Sequence, residues 1–261
     1  MKSIRYSYLI LIYIFLYLPI AVVVFFSFNN SYVSLLWHGF TWQWYQLLFH
    51  DVDMGLVAWH SLWLGVTAAT LASLLGLMAA VALFRYRFAG KQAMQLLIFI
   101  MIVLPDLVLG VALLILMSLV HFPLGFWSLL VAHITFCVPF TVIIIGNQLR
   151  QLDKHILEAG RDLGASEWQL YIQVIIPLVM PALISGWLMS FTMSIDDVIV
   201  SYFVSGPSFE ILPLKIYSMV KLGVSPEVNA LCTLLLVLTF SMTLIAYFLQ
   251  KPRKKRGLKH A

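Results

Sequence analysis

Charge is scarce in this chain, and what there is lies unevenly. Aspartate, glutamate, lysine and arginine make up 10% of the 261 residues, whereas 62% are hydrophobic and the mean hydropathy is +0.97. Such values exclude an ordinary soluble globular domain. Cysteine is nearly absent: Cys137 and Cys232 both fall inside apolar runs, which excludes a disulfide framework and leaves each as a small buried hydrophobe. His133 precedes Cys137 by four residues, but two ligand types on one helix face with no carboxylate make no metal site. A phosphate-binding loop is also missing. The single Gly-Lys pair, Gly90-Lys91, continues with Gln92 and lacks both the upstream glycine and the hydroxyl residue of G-x-x-x-x-G-K-[ST], so ATP hydrolysis by this chain is excluded.

What the chain does have is length of apolar sequence. A hydrocarbon core of about 30 Å needs about 20 helical residues, and runs of that order occupy 8–28, 61–84, 94–120, 127–147, 178–204 and 229–249. The fold class expected is all-α: a polytopic membrane protein of six transmembrane helices, read as one transmembrane domain over 1–261. Helices are required because the bilayer interior offers no water to satisfy an open backbone. Met1, Lys2 and Arg5 ahead of the first run look like a secretory signal, but the run is long and Phe-Ser-Phe-Asn-Asn offers no small-residue cleavage site, so this span is expected to be retained.

Orientation follows from the basic residues. Lys2 and Arg5 precede span 1; Arg85, Arg87 and Lys91 separate spans 2 and 3; Arg150, Lys154 and Arg161 separate spans 4 and 5; and Lys251, Arg253, Lys254, Lys255, Arg256 and Lys259 form the tail. Of the sixteen, only Lys215 and Lys221 fall on the other side, which places both termini in the cytoplasm. The tail reads as an anchor against anionic membrane lipid, not as a nucleic-acid arm. On the external side, the loop at 29–60 has no lysine or arginine and carries Trp37, Trp42, Trp44, Tyr45 and Trp59, which suits an interfacial anchor. The stretch 205–228 holds a short helix-capable unit between turn formers, with three roles open to it: an outer-surface helix, a contact for an external partner, or part of a gate.

No lysine or arginine lies in any span, yet Asp106, Asp196 and Asp197 do. A carboxylate at the bilayer centre costs about 2.5–3.5 kcal/mol on insertion scales, so such residues face a bundle interior or an aqueous cavity. Asp106 stands after Pro105, about 18 Å along a straight helix from the start of its run, where proline kinks the helix. Asp196 and Asp197 are consecutive, and helical neighbours point about 100° apart, so one would line a cavity while the other meets a neighbouring helix. Ser194 and Tyr202 add polar atoms around them. Acids without an internal counter-ion expect their positive charge from outside, which points to a cationic substrate.

The segment 148–177 is polar, helix-patterned and flanked by spans. Asp153 suits an N-cap for a helix with Ile156, Ala159, Gly160 and Leu163 on one stripe; Gly164 suits the left-handed stop; and Ser166 with Gln169 forms a capping box for a second helix leading through Trp168, Tyr171 and Ile175 to Pro177. These residues resemble the cytoplasmic signature of permease subunits in binding-protein-dependent ABC importers: Glu-Ala-Ala, three residues, Gly, nine residues, Ile, one residue, Leu-Pro. Glu158, Ala159, Gly164 and Pro177 match in spacing, while Gly160, Val174 and Ile176 depart from it by small or aliphatic exchanges. The resemblance implies that 148–177 is the coupling element seated on an ATPase subunit, with ATP and Mg acting in that partner and no cofactor bound by this chain.

Further stretches, Ser194-Ile-Asp-Asp-Val and the run from Gly206-Pro-Ser-Phe-Glu to Ser225-Pro-Glu-Val among them, are similar to the polyamine-importing branch of that family. That likeness implies a MetI-like permease fold, an inner-membrane location, and a complex with a second permease, two ATPase copies and a periplasmic polyamine-binding protein. Two rivals are weighed against it. An ion-coupled secondary transporter of cationic solutes also uses intramembrane Asp, but six spans and a long cytoplasmic signature do not suit it. A membrane enzyme would need a nucleophile–base or metal constellation, and the sequence shows none.

Overall fold

A computed structural model of the chain describes residues 2–31, 36–223 and 225–250. The basic tail at 251–261 lies outside the described residues. Helices dominate the rest: α1 (Lys2–Phe26), α2 (Gln43–His50), α3 (Val52–Arg85), α4 (Lys91–Val103), α5 (Asp106–Leu119), α6 (Phe126–Arg150), α7 (Lys154–Asp162), α8 (Glu167–Gln169), a π-helical turn (Leu170–Ile175), α9 (Ile176–Asp196), α10 (Ile199–Val204), α11 (Leu212–Leu222) and α12 (Pro226–Gln250). An isolated antiparallel bridge joins Asn29 and Phe40.

Four of the expected spans are long apolar helices: Tyr6–Phe26, Val52–Arg85, Phe126–Arg150 and Glu167–Asp196, the last running from α8 through the π turn to the end of α9. Over the sixth expected run, α12 is apolar across Pro226–Ser241, which among the described residues is shorter than the four above. Two expected spans are interrupted. The run 94–120 is not one helix but two, α4 and α5, bent by 115°. Leu104, ahead of the proline, is extended at φ −66°, ψ 130°, as the clash with the Pro105 ring requires, and Pro105 is extended too, so the helix stops and restarts at Asp106. A straight-helix depth for Asp106 therefore does not apply. The run 178–204 breaks after Asp196, where Asp197 is extended at φ −69°, ψ 121°.

The described residues form two compact units, one from those within 1–62 and 209–240 and the other from 63–208 with 241–250. In the first, Trp44, Tyr45, Leu48, Met54 and Val57 pack with Leu212, Ala230 and Leu231. Trp44 and Tyr45 are thus core residues, 4% and 8% exposed, and not interfacial anchors. Their polar atoms explain how: Trp44 Nε1 donates to the Asn29 carbonyl at 2.8 Å, and the Tyr45 hydroxyl meets Ser27 Oγ at 2.7 Å, so both rings are buried with their hydrogen bonds made. Trp37, Trp42 and Trp59 remain exposed, as an anchor requires. The stretch after 208 joins this unit, with Ser61 Oγ accepting from the Leu212 amide at 2.6 Å and His60 stacked on Phe209.

The second unit is built around α6. Small residues let helices approach it closely: a Cβ at Gly76 of α3 would overlap Thr141 of α6, and one at Gly186 of α9 would touch the same threonine. Thr141 Oγ1 shares its one proton between the Val138 carbonyl at 2.8 Å and the Ala72 carbonyl of α3 at 3.1 Å, so the crossing is also hydrogen-bonded. Leu77, Val81, Val142, Ile145, Leu149, Ile175 and Val179 form the core beneath it. At the other end of α6, Ser128 Oγ lies within hydrogen-bond reach of the Gly125 amide and of the Gly125 and Val204 carbonyls, pinning the end of α10 to the start of α6.

Candidate functional site

The breaks in α4–α5 and α9–α10 meet around one cavity of about 450 Å³, lined by Asp106, Phe136, Met193, Asp196, Asp197, Val198 and Ile199. All three sequence-predicted acids are in its wall, and among the described residues no lysine or arginine is. Their settings differ. Asp106 is in the first turn of α5, where the positive end of the helix dipole favours a carboxylate. Asp197 stands two residues before α10 and holds its first turn: its carboxylate accepts from the Val200 amide at 3.2 Å, the Ser201 amide at 2.8 Å and Ser201 Oγ at 2.7 Å. Asp196 is the last residue of α9, at the negative end of that helix, and its side chain is exposed to the cavity. Of the three charges, that of Asp196 is the one no helix terminus compensates.

A residue that the sequence reading set aside supports this arrangement. His133 of α6 is fully buried; Nδ1 lies 2.6 Å from Ser194 Oγ and Nε2 lies 3.0 Å from Ser201 Oγ. Asp197 Oδ2 is 3.8 Å from Nε2, too far for a direct hydrogen bond, so Ser201 bridges the two. Because the Ser201 hydroxyl gives its one proton to the carboxylate, it accepts from the imidazole Nε2–H. Ser194 thus faces the α6 imidazole and is 3% exposed, while Tyr202 is more than half exposed on α10 with its ring edge-on to Phe203; neither is in the cavity wall. The pairing of positions 133, 194 and 201 spans more than sixty residues of chain and carries no local signal.

The segment 148–177 folds largely as its caps dictate. Asp153 accepts from the His155 amide, Gly164 turns left-handed at φ 81°, and Ser166 and Gln169 bond each other's backbone amides reciprocally. Gly160 is in the space that a Cβ would contest with the fully buried Leu170, which accounts for glycine where the signature has alanine. The expected apolar stripe, however, is turned outward: Leu163 is 88% exposed and Ile156 41%, with Ala159 and Glu158 also exposed, whereas Leu157 packs into the unit's core. Pro177 opens α9. Lacking an N–H and crowding the carbonyl four residues back, it favours the widened π turn just before it. Glu167 ties this segment to α3, pairing with Arg85 and, at 3.3 Å, with Arg161.

The profile of the family described as "Binding-protein-dependent transport system inner membrane component" matches residues 72–255. The chain belongs to that family. It is 49% identical over 254 residues to the spermidine/putrescine transport system permease protein PotC of Escherichia coli (strain K12), covering 97% of this chain and 96% of that one. The Haemophilus influenzae PotC is 47% identical over 95% of this chain and 96% of its own, and the Escherichia coli (strain K12) putrescine transport system permease protein PotI is 38% identical over 92% and 88%. Among solved structures, a chain of a bacterial ABC transporter that imports the polysaccharide alginate superposes with a TM-score of 0.74 at 12% identity over 97% of this chain and 96% of that one. A chain of the inward-facing methionine ABC transporter MetNI gives 0.63 at 19% identity over 77% and 97%. These confirm the all-α, MetI-like permease fold.

Proposed function

We propose that this chain is one of two permease subunits of an ATP-driven importer of polyamines, spermidine or putrescine, in the inner membrane of a bacterium. The observation that carries the reading is the cavity walled by three carboxylates and, among the described residues, no lysine or arginine, in a chain 49% identical to a spermidine/putrescine permease protein. A linear polycation supplies the charge that Asp196 lacks within the fold. Asp106 and Asp197 complete the negative wall, with Ser194 and Tyr202 as neighbours on the same elements. Broken helices at a charged intramembrane site suit a transport pathway, because irregular backbone is tolerated there only where it lines a cavity or is buried in protein.

The work comes from outside the chain. Glu158, Ala159, Gly160, Gly164 and Pro177 form the coupling segment, whose outward-facing Ile156 and Leu163 offer an apolar seat to an ATPase subunit that binds ATP and Mg. The complex comprises a PotB-like second permease, two PotA-like ATPase subunits and a PotD-like periplasmic binding protein. Both termini of this chain are cytoplasmic. Closure of the ATPase pair moves α7, and the α9 break then presents the acids to one side of the membrane or the other, which requires contacts that differ between the two states.

Spermidine uptake into proteoliposomes holding the whole complex tests this reading. Uptake is expected to require ATP and the ATPase subunits. Transport that persists without them and follows a proton gradient instead would establish the ion-coupled alternative.

A further inference from the structure

Away from the acids, the second unit holds a cavity of a different character. About 370 Å³ in volume, it opens where the ends of α3 and α6 meet the start of α4. Its wall is apolar, from Phe84, Ile98, Phe99 and Ile143 among others, and its polar atoms come from Gln95, Asn147 and Arg150. Gln95 is shared with an adjoining cavity of about 410 Å³ that adds Arg87 and Lys91. Lys91 Nζ is held against the Tyr86 carbonyl at 3.1 Å. Arg85 nearby is engaged by Glu167, whereas Arg87 and Arg150 form no ion pair among the described residues. Helix α4 lines both cavities, with Ile98 and Phe99 in the first, Lys91 and Gln92 in the second and Gln95 in both; it has no fully buried residue, and Phe99 is exposed.

We propose that this slot is a binding site for an anionic phospholipid, with the phosphodiester between Arg150, Arg87 and Lys91 and an acyl chain along Phe84, Ile98 and Phe99. Charge decides the class of occupant. A mouth carrying two guanidiniums and an ammonium repels a polyamine, so the slot is not a branch of the acid-lined pathway. Guanidinium forks suit phosphate oxygens, and basic pockets between membrane helices on the cytoplasmic side bind anionic head groups. Free phosphate would use only the mouth; the aromatic and aliphatic wall calls for a chain. The three cations all stand on the side that the distribution of basic residues makes cytoplasmic.

Native mass spectrometry of the whole importer tests the site. The purified complex is stripped of lipid and titrated with palmitoyl-oleoyl phosphatidylglycerol or phosphatidylcholine. The wild type is expected to hold one phosphatidylglycerol with an apparent Kd at least tenfold below that for phosphatidylcholine. Arg150→Gln with Arg87→Gln should erase the preference. Gly146→Leu probes the wall separately: Gly146 lines the slot and a Cβ there meets nothing within 4 Å, so leucine enters open space and should expel the chain while the complex stays assembled. Millimolar inorganic phosphate should not displace the lipid. Equal retention of the two lipids by the wild type overturns the proposal, as does retention unchanged in the arginine variant. Displacement by phosphate with Gly146→Leu silent would make it a phosphate pocket. Loss of a subunit from the Gly146→Leu complex would show that protein covers the slot.

Discussion

Ser201 holds Asp197 by two donors at once, its amide at 2.8 Å and its hydroxyl at 2.7 Å to the same carboxylate oxygen, while the adjacent Asp196 ends α9 with its side chain open to the cavity. Two neighbouring acids therefore carry different loads. Asp197→Asn keeps one acceptor oxygen but sets an NH2 against either the Val200 amide or the Ser201 donors, and Asp197→Ala removes both oxygens; each should cost about 1–3 kcal/mol. Asp196→Asn should leave stability unchanged and lower spermidine uptake by tenfold or more. Thermal unfolding of the purified complex beside uptake in proteoliposomes separates the effects. Equal loss of stability in Asp196→Asn and Asp197→Ala would make both residues structural.

His133 is a positioning residue by the same geometry. Its replacement by alanine strands one buried hydroxyl, Ser194 Oγ, at a cost of about 1–3 kcal/mol, and leaves Ser201 Oγ with Asp197 alone. The expected outcome is a destabilised complex whose residual uptake is also reduced, because Ser201 loses its orienting donor. A cycle pairing His133→Ala with Ser201→Ala should show a coupling of about 0.5–3 kcal/mol in stability. Strict additivity would mean that the imidazole does not act through Ser201.

How much of this the sequence disclosed follows from the range of each interaction. The caps at Asp153, Gly164 and Ser166–Gln169 are set by residues within four positions of one another, and they form as read. Pro105 announced an interruption, but not that it would be a 115° break, since the angle is fixed by what α5 packs against: Gly110 lies against Val200 and Phe203 of α10. The hydrogen bonds of Asp197 depend on α10 restarting at Ile199, which is concealed when 178–204 is read as a single span. Trp44 was illegible for another reason. Interfacial and buried tryptophans look the same in sequence, and only the Asn29 carbonyl distinguishes them.

Glu167 joins three elements, and removing its charge should be felt in coupling. Arg85 is nearly enclosed, with its side chain 6% exposed, so Glu167→Gln leaves a guanidinium with little water and no anion. Because Glu167 itself is 59% exposed, the cost should stay near 1–2 kcal/mol, below that of breaking a fully buried pair. Binding-protein-stimulated ATPase activity is expected to fall more than assembly does. The double variant Arg85→Met with Glu167→Gln, which removes the stranded charge, should recover stability but not stimulation. Full recovery of both would reduce the pair to a structural contact.

Glu158 offers the opposite balance. Its partner is His155 Nδ1 at 3.2 Å, and both side chains are well exposed, a pair worth about 0–1 kcal/mol at most. Glu158→Ala should therefore insert, fold and join the second permease normally, while association with the ATPase subunits and substrate-stimulated hydrolysis decline. Co-purification yields measure the first and phosphate release the second. Unchanged values for both would remove Glu158 from the coupling surface.

Gly76 tests the close crossing on which the second unit is built. An added Cβ would overlap Thr141 Oγ1 and Cβ, neither of which is the end of a flexible chain, and Thr141 is fixed by bonds to the Ala72 and Val138 carbonyls. Gly76→Ala should then cost about 1–3 kcal/mol through overpacking, although alanine is the better helix former by about 1 kcal/mol. Gly146→Ala, on the facing helix but in open space, should instead be neutral or stabilising by about 0.4–1 kcal/mol. Adding Thr141→Ala to Gly76→Ala removes the overlap with Oγ1 but not that with Cβ, and should restore part of the loss. If Gly76→Ala proves as stable as Gly146→Ala, α3 and α6 are not in contact at this crossing.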